Sequence, residues 1–261
     1  MATALERERS AARIIETFQA RFLVVASAEL PQADYAVKGG VNMRFFFQSP
    51  RSSKDMDFDH VGPAFARFAD RVQRIFEGRA LGELLRLEEV AITRIARAKA
   101  TETTQRWKFG LVAPGVPDAS SKVEFSARGT DLPYELAAID TALATRLRVR
   151  PVRVDHYLPE AAVAQKVEAL RGRSHTEPRD VFDLDHLFTR YPDALAKAGL
   201  RAMAVRAGAD RAAELTFADY ESAVVPYLDE DLRPMLGTRA AWDDMQLRVI
   251  DRLQSAPVAS S

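Results

Sequence analysis

Two aspartates one residue apart, Asp55 and Asp57, are the first residues whose type and spacing suggest chemistry. On a strand, residues i and i+2 face the same way, with Cα atoms roughly 7 Å apart. Two carboxylates held like this offer the hard oxygen ligands that Mg²⁺ prefers. A solvent-facing acidic strand produces the same alternation. Upstream, Lys38-Gly39-Gly40 follows the short apolar segment Tyr35-Ala36-Val37 and precedes a helical pattern. A glycine pair at such a junction lets the backbone approach a phosphate closely, and a helix start favours anions. A plain tight turn uses the same residues. A third acid, Glu124, lies between Val123 and Phe125. Those neighbours point into a core, so Glu124 projects from the opposite face of its strand. A third carboxylate would complete a two-metal phosphoryl-transfer site; by itself Glu124 equally suits a solvent-facing strand position.

The elements that must position these residues follow from periodicity. Ala11, Ile14, Ile15, Phe18 and Phe22 recur at helical spacing and predict a helix over 4–29. Residues 35–37 read as a strand, 41–47 as the start of a helix, 50–53 as a loop and 55–58 as a strand. Over 63–76 the pattern is an amphipathic helix with Phe65, Phe68, Val72 and Phe76 inward. Period-two runs at 90–95, 107–111 and 123–125, broken by polar or Pro/Gly stretches at 101–104 and 114–121, predict an antiparallel meander. Leu147, Val149, Val152 and Val154, with a phase slip at Pro151, predict a last strand at a sheet edge. Beyond Pro159 the chain becomes Ala-rich and helical, over 160–172, 178–190, 193–207, 216–235 and 239–254, with a frayed tail from 255. The expected fold is α/β (α+β), with a mixed or antiparallel sheet over 1–157 and a helical domain over 158–261.

Composition narrows the function classes. The chain has 261 residues, 47% of them hydrophobic and 28% charged, which suits a soluble protein with a real core. Lys plus Arg number 37 and Asp plus Glu number 37, so the formal net charge is zero and bulk positive charge for coating nucleic acid is excluded. The absence of Cys removes disulfides, thiolate metal sites and cysteine nucleophiles. The longest apolar run, Phe22 to Ala26, is too short to cross a bilayer, and the charged N-terminus has no signal-peptide core. A cytoplasmic protein without membrane contact is expected.

Taken together, Lys38-Gly39-Gly40, Arg44 and the run Arg51-x-Ser53-x-Asp55-Met56-Asp57 resemble the signature of the AbiEii/AbiGii nucleotidyltransferase toxins. The second half agrees. Gln165-Lys166-Val167-Glu168-Ala169-Leu170 through Arg173, then Arg179-Asp180-Val181-Phe182-Asp183-Leu184, looks like that family's lysine-bearing helix and the Arg-Asp-apolar-aromatic-Asp-Leu stretch after it. The resemblance spans roughly 35–190 and implies a polymerase-beta-like nucleotidyltransferase core followed by a helical region. It implies that Asp55 and Asp57 hold Mg²⁺, two ions in all, with Glu124 as third acid. It gives Lys38, Gly39, Gly40, Arg44 and Ser53 to the nucleotide, with Ser53 at the triphosphate or a site of modification. Lys166 would neutralise the triphosphate, and Asp180, or Asp183 one turn on, would position base, sugar or acceptor. Arg173 and Arg179 would grip phosphate or pair with those acids. Lys166 sits mid-helix among Ala162, Val163, Val167 and Leu170, an awkward place for an idle cation unless it extends to solvent. Asp180 also suits the first turn of a helix on electrostatic grounds alone. Two positions depart from the pattern: Val41, where Ser or Thr usually follows the glycines, and Lys54, beside the first metal aspartate.

The function so implied is transfer of a nucleoside monophosphate from an NTP to the 3′ end of tRNA, by the toxin of an abortive-infection toxin–antitoxin pair with a cognate antitoxin. Basic residues outnumber acidic ones over 141–180, and Arg146, Arg148 and Arg150 alternate as along a strand. Such a row would track a phosphate backbone or protect a strand edge. Three alternatives stand beside this reading: sugar-nucleotide glycosyl transfer, nucleotidylation of a protein or small molecule, and a catalytically weak fold kept as a nucleotide- or partner-binding module.

Overall fold

A computed structural model describes residues 4–129 and 131–255. By its internal packing the chain divides into two units, one comprising the residues up to Gln48 together with Ser52–Tyr157, the other Ser49–Arg51 together with the chain from Leu158 onward. The first unit contains α1 (Ala4–Glu29), β1 (Tyr35–Lys38), α2 (Gly39–Phe45), β2 (Met56–His60), α3 (Phe65–Glu77), α4 (Arg79–Arg86), β3 (Ala91–Ala100), β4 (Thr104–Ala113), β5 (Val116–Ser126), β6 (Tyr134–Ala138), α5 (Thr141–Arg146) and β7 (Arg153–Tyr157). Its seven strands form one mixed sheet in the order β3-β4-β5-β2-β1-β7-β6. The meander β3-β4-β5 is antiparallel, whereas β2 runs parallel to β5 and β1 runs parallel to β7.

Alternation sorts the sheet into two faces. Phe58 of β2, Trp107 and Phe109 of β4 and Phe125 of β5 are fully buried. They meet Phe18 and Phe22 of α1 and Phe76 of α3 in a layer of aromatic rings, with Phe58 and Phe125 stacked at 4.6 Å between centroids. Rings of this size bury the most apolar area per residue and fix the strands against the helices. The alternate residues of the same strands, Asp57, Arg106, Lys108, Lys122 and Glu124, are left on the other face.

Several sequence expectations are corrected here. The last strand is β7, and it lies inside the sheet between β1 and β6 rather than at an edge. Residues 147–152 are not strand, because the loop between α5, which ends at Arg146, and β7 occupies that stretch. Strand β6, helix α4 and helix α5 lack a clear apolar alternation or are short, and periodicity did not reveal them. Strand β2 begins one residue after Asp55.

The second unit is helical: α6 (Pro159–Gly172), α7 (Pro178–Arg190), α8 (Ala194–Lys197), α9 (Ala202–Ala213), α10 (Phe217–Ala223), α11 (Arg233–Leu236) and α12 (Arg239–Gln254). Its core joins Val163, Val167 and Leu170 of α6 to Val181, Leu184 and Leu187 of α7 and Trp242, Val249 and Leu253 of α12, all buried. The single helices expected over 193–207 and 216–235 are each interrupted. Gly199 separates α8 from α9, and Pro226 and Pro234 divide the second stretch into short turns, because proline cannot donate within a helix. The tail expected to fray lies, from residue 256, outside the described residues. Among the described residues no helix is long and apolar enough to cross a membrane.

Candidate active site

Strand register brings the acids together. Lys38 pairs with Asp57 across β1 and β2, Asp57 with Glu124 across β2 and β5, Glu124 with Arg106 across β5 and β4, and Arg106 with Lys99 across β4 and β3. Directly paired residues share a face. Lys38, Asp57, Glu124, Arg106 and Lys99 therefore form one charged row over five strands, and Asp55, two residues before Asp57, joins that face.

Around the two aspartates the contacts are specific. Lys122 Nζ lies 3.6 Å from Asp55 Oδ2 and 3.5 Å from Asp57 Oδ1, so one ammonium faces both carboxylates. Gly39, at the start of α2, has φ +67, and a Cβ there would stand 3.3 Å from Asp57 Oδ2. Only glycine takes that backbone conformation without cost and still leaves the carboxylate its room. Lys38 Nζ donates to Asp59 Oδ1 at 2.6 Å, and the Tyr157 hydroxyl donates to Asp59 Oδ2 at 2.7 Å. Arg106 Nε donates to Glu124 Oε2. Among the described residues no three His, Cys, Asp or Glu side chains converge as a metal cage. Glu124, expected as the third acid, is a register neighbour of Asp57 but is engaged by Arg106. The donor set is thus two carboxylates already facing a cation. It fits Mg²⁺, which is commonly held by one or two carboxylates with substrate phosphates completing the shell.

Lys122, Arg106, Asp59 and Tyr157 were not singled out from the sequence. The signal for Lys122 was present in the alternation Lys122-x-Glu124, which puts both on the acid-bearing face. Asp59 likewise continues the alternation Asp57-x-Asp59, whereas Arg106 and Tyr157 depend on strand pairing that local sequence does not encode.

Other expected residues lie elsewhere. Ser53 is buried; its hydroxyl donates to the Asp55 carbonyl at 2.9 Å, and its own carbonyl accepts from the Gln19 amide at 2.8 Å, which shapes the turn into Asp55. Arg44 is buried and donates to Glu16 Oε1 at 2.6 Å. Arg146 reaches the other oxygen of Glu16 at 3.2 Å. Arg146 ends α5 and Arg148 follows with φ +52, so Arg146, Arg148 and Arg150 do not alternate along a strand and the expected row does not form.

The helical unit holds its own charge cluster. Lys166 of α6 is 7% exposed, and Asp180 and Asp183 of α7 are 0% exposed. Lys166 Nζ lies 3.0 Å from Asp180 Oδ1 and 2.5 Å from Asp183 Oδ2. Arg173 binds the remaining oxygen of Asp180 at 2.8 Å and also reaches Glu177 at 3.2 Å. Arg51, packed in this unit, donates to both oxygens of Asp183 at 3.1 and 3.0 Å. Arg179 pairs with Glu177 at 2.5 Å. Burial alone would raise the Asp183 carboxyl; the charge of Arg51, then that of Lys166, outweighs it and holds the group below its ordinary range. Both aspartates spend their oxygens on bracing cations. Arg51 as the partner of Asp183 was not foreseen, although it lies within the motif that led to Asp55.

Comparisons with known proteins agree on one family. The model of the nucleotidyl transferase AbiEii toxin family, a type IV toxin–antitoxin system, matches residues 21–256. No curated protein matches the chain. Among solved structures, the chain is similar to MenT4, a nucleotidyltransferase toxin from Mycobacterium tuberculosis, with a TM-score of 0.63 at 17% identity, covering 96% of this chain and 86% of that one. It is also similar to a candidate nucleotidyltransferase from Helicobacter pylori, with a TM-score of 0.54 at 19% identity over 97% and 98% of the two chains. JHP933 from the same organism gives 0.52 at 18% identity over 97% and 95%. At these identities the structures show a shared fold.

Proposed function

The chain belongs to the AbiEii family of nucleotidyltransferase toxins, and from that premise we propose that it transfers a nucleoside monophosphate from an NTP to the 3′ end of a tRNA with the aid of Mg²⁺. Family membership makes the protein a nucleotidyltransferase of a toxin–antitoxin system, with an NTP as substrate and a cognate antitoxin as partner. The observation that supports metal-assisted transfer is the acid pair Asp55 and Asp57, facing one ammonium and lying beside a glycine turn that leaves Asp57 Oδ2 clear, while the tRNA acceptor rests on the family resemblance.

Asp55 and Asp57 would hold the divalent cation, with NTP phosphate oxygens as further ligands. A cation bound there supplies charge neutralisation for the attacking and leaving oxygens of an in-line displacement. The acceptor hydroxyl attacks the α-phosphate and gives up its proton to water; a new P–O bond forms as the bridge to the β-phosphate breaks, and pyrophosphate leaves. Gly39 and Gly40 keep the β1–α2 turn open for the triphosphate. Lys122 offsets the mutual repulsion of the two aspartates, and Arg106 fixes Glu124 beside them. In the helical unit, Asp180 and Asp183 are positioning residues that hold the Lys166 ammonium. Because their oxygens are already engaged, no direct acceptor contact is assigned to either.

Pyrophosphate release tests the reaction class. Purified protein with NTP, tRNA and Mg²⁺ should release pyrophosphate, and Asp57→Asn should abolish it while leaving the circular dichroism spectrum unchanged. Release of a nucleoside diphosphate instead, or undiminished turnover by Asp57→Asn, would overturn the proposal.

A further inference from the structure

The face that carries Asp55 and Asp57 continues outward over β5, β4 and β3, where it carries Lys122, Arg106, Lys108 and Lys99 together with the acids Glu124 and Asp118. Arg106 and Lys99 extend the row that contains Asp57 and Glu124, and the adjacent row pairs Lys108 of β4 with Lys122 of β5. Like charges directly opposite each other in a sheet are destabilising, so two lysines facing across β4 and β5 are a cost to the fold without a counter-charge. Lys122 has one in Asp55 and Asp57. Lys108 is exposed, Lys99 is half-buried, and among the described residues neither makes an ion pair or a side-chain hydrogen bond. With strands about 4.8 Å apart, Lys99 stands three strands, or about 14 Å, from Asp57.

We propose that the 3′ strand of the RNA acceptor lies on this face, its phosphates along Lys99 and Lys108, so that its terminal hydroxyl arrives beside Asp55 and Asp57. The proposal rests on the reading that the acceptor is tRNA. Three features favour a nucleic acid strand over an acidic protein surface. Lys108 and Lys122 are directly paired across β4 and β5, and Lys122 faces Asp55 and Asp57, so this line of cations ends at the reacting carboxylates, where an acceptor hydroxyl has to be delivered. The Gly39 turn between β1 and α2, given to the triphosphate, flanks Asp57 on one side, and β5 flanks it on the other, toward the acceptor. The aromatic side chains of these strands, Trp107, Phe109 and Phe125, all point into the core, so the face offers charge without stacking. Contacts of that kind position a backbone and carry little base information. A protein of zero net charge then gains a local field where the acceptor enters.

The experiment compares Lys99→Glu/Lys108→Glu with wild type and with Arg148→Glu/Arg150→Glu, reading tRNA dissociation constants over a salt series and binding of a fluorescent NTP analogue. The track predicts that the first variant binds tRNA about tenfold or more weakly at low salt. Its salt slope should be smaller by about one per lysine, with the same loss for unrelated tRNA species and unchanged NTP binding. The second variant should bind as wild type does. If wild type labels tRNA and the β3–β4 variant binds it undiminished, the track is wrong while the tRNA reading stands. If wild type neither binds nor labels tRNA but labels another acceptor, both fall. If the β3–β4 reversal instead abolishes binding of a protein partner and spares tRNA, the face is a protein interface and the proposal is overturned.

Discussion

Replacing Asp183 by Asn removes one negative charge from a place that water does not reach. The carboxylate has no exposed surface and is held by Lys166 at 2.5 Å and by Arg51 at 3.0 and 3.1 Å. After the substitution Lys166 and Arg173 share Asp180, with Glu177 at the margin, and Arg51 loses the charge of Asp183. Breaking a buried ion pair by removing one partner costs about 3–5 kcal/mol, because the remaining charge stays desolvated. That is a large share of the roughly 5–15 kcal/mol that stabilises a whole domain. Hydrogen exchange of the α6 and α7 amides reads the loss locally. At 1.4 kcal/mol per decade the exchange should accelerate roughly a hundredfold to a few thousandfold. The pH dependence gives a second check. A folded pKa below the unfolded value near 3.8 stabilises fully above that value and fades as pH falls through the lower folded one. The Asn penalty should therefore be flat between pH 5 and 8. Replacing the pair together, Arg51→Met with Asp183→Leu, should recover part of the loss, since apolar side chains often replace a buried pair at little cost. An acceleration of less than about fivefold in Asp183→Asn would refute the view that this carboxylate braces the cluster.

Gly39→Ala should cost about 1–2 kcal/mol from the left-handed backbone and, by crowding Asp57 Oδ2, lower kcat/KM at least tenfold. Gly115→Ala, with φ +73 but open space around it, should carry the backbone cost and spare transfer. Equal activity in the two variants would show that the Gly39 approach to Asp57 is immaterial. His156 is buried, stacks on Phe46 at 3.9 Å and shares a hydrogen bond with Asn42; burial pushes its pKa down from 6.5 to about 4, partly offset by a hydrogen bond with the Tyr157 backbone. A depressed histidine favours the neutral folded form, so stability should fall by about 3 kcal/mol as pH drops from about 6.5 to about 4. His60, also depressed by burial, acts in the same direction, and Asp155, raised by burial, acts in the opposite one. The difference between urea melts of wild type and His156→Gln over pH 4–7 isolates the His156 share, and a pH-independent difference would exclude it.

Two local groupings, one in each unit, were legible because their residues are close in sequence. Asp55 and Asp57 share a face by the strand period alone, and Lys166, Asp180 and Asp183 sit on two helices whose spacing the apolar pattern defines. What the sequence hid was pairing. Nothing near Glu124 says that it lies opposite Arg106, and nothing near Lys38 says that its ammonium turns to Asp59. The alternation of Arg146, Arg148 and Arg150 imitated a strand because the end of a helix and a left-handed residue happened to reproduce its period. Strand β6 is largely exposed, so it shows no apolar alternation. The phase slip at Pro151 therefore read as the mark of an edge strand.

The central claim is nucleotidyl transfer at Asp55 and Asp57, and labelling of tRNA tests it most directly. Protein, Mg²⁺, total tRNA and each α-³²P-labelled NTP in turn are incubated beside Asp57→Asn, and the RNA is digested to map the label. The account predicts label at the 3′ end of tRNA with wild type alone, and none when Mg²⁺ is chelated. Label that persists in Asp57→Asn, or that never appears on RNA although the protein binds NTP, would contradict it.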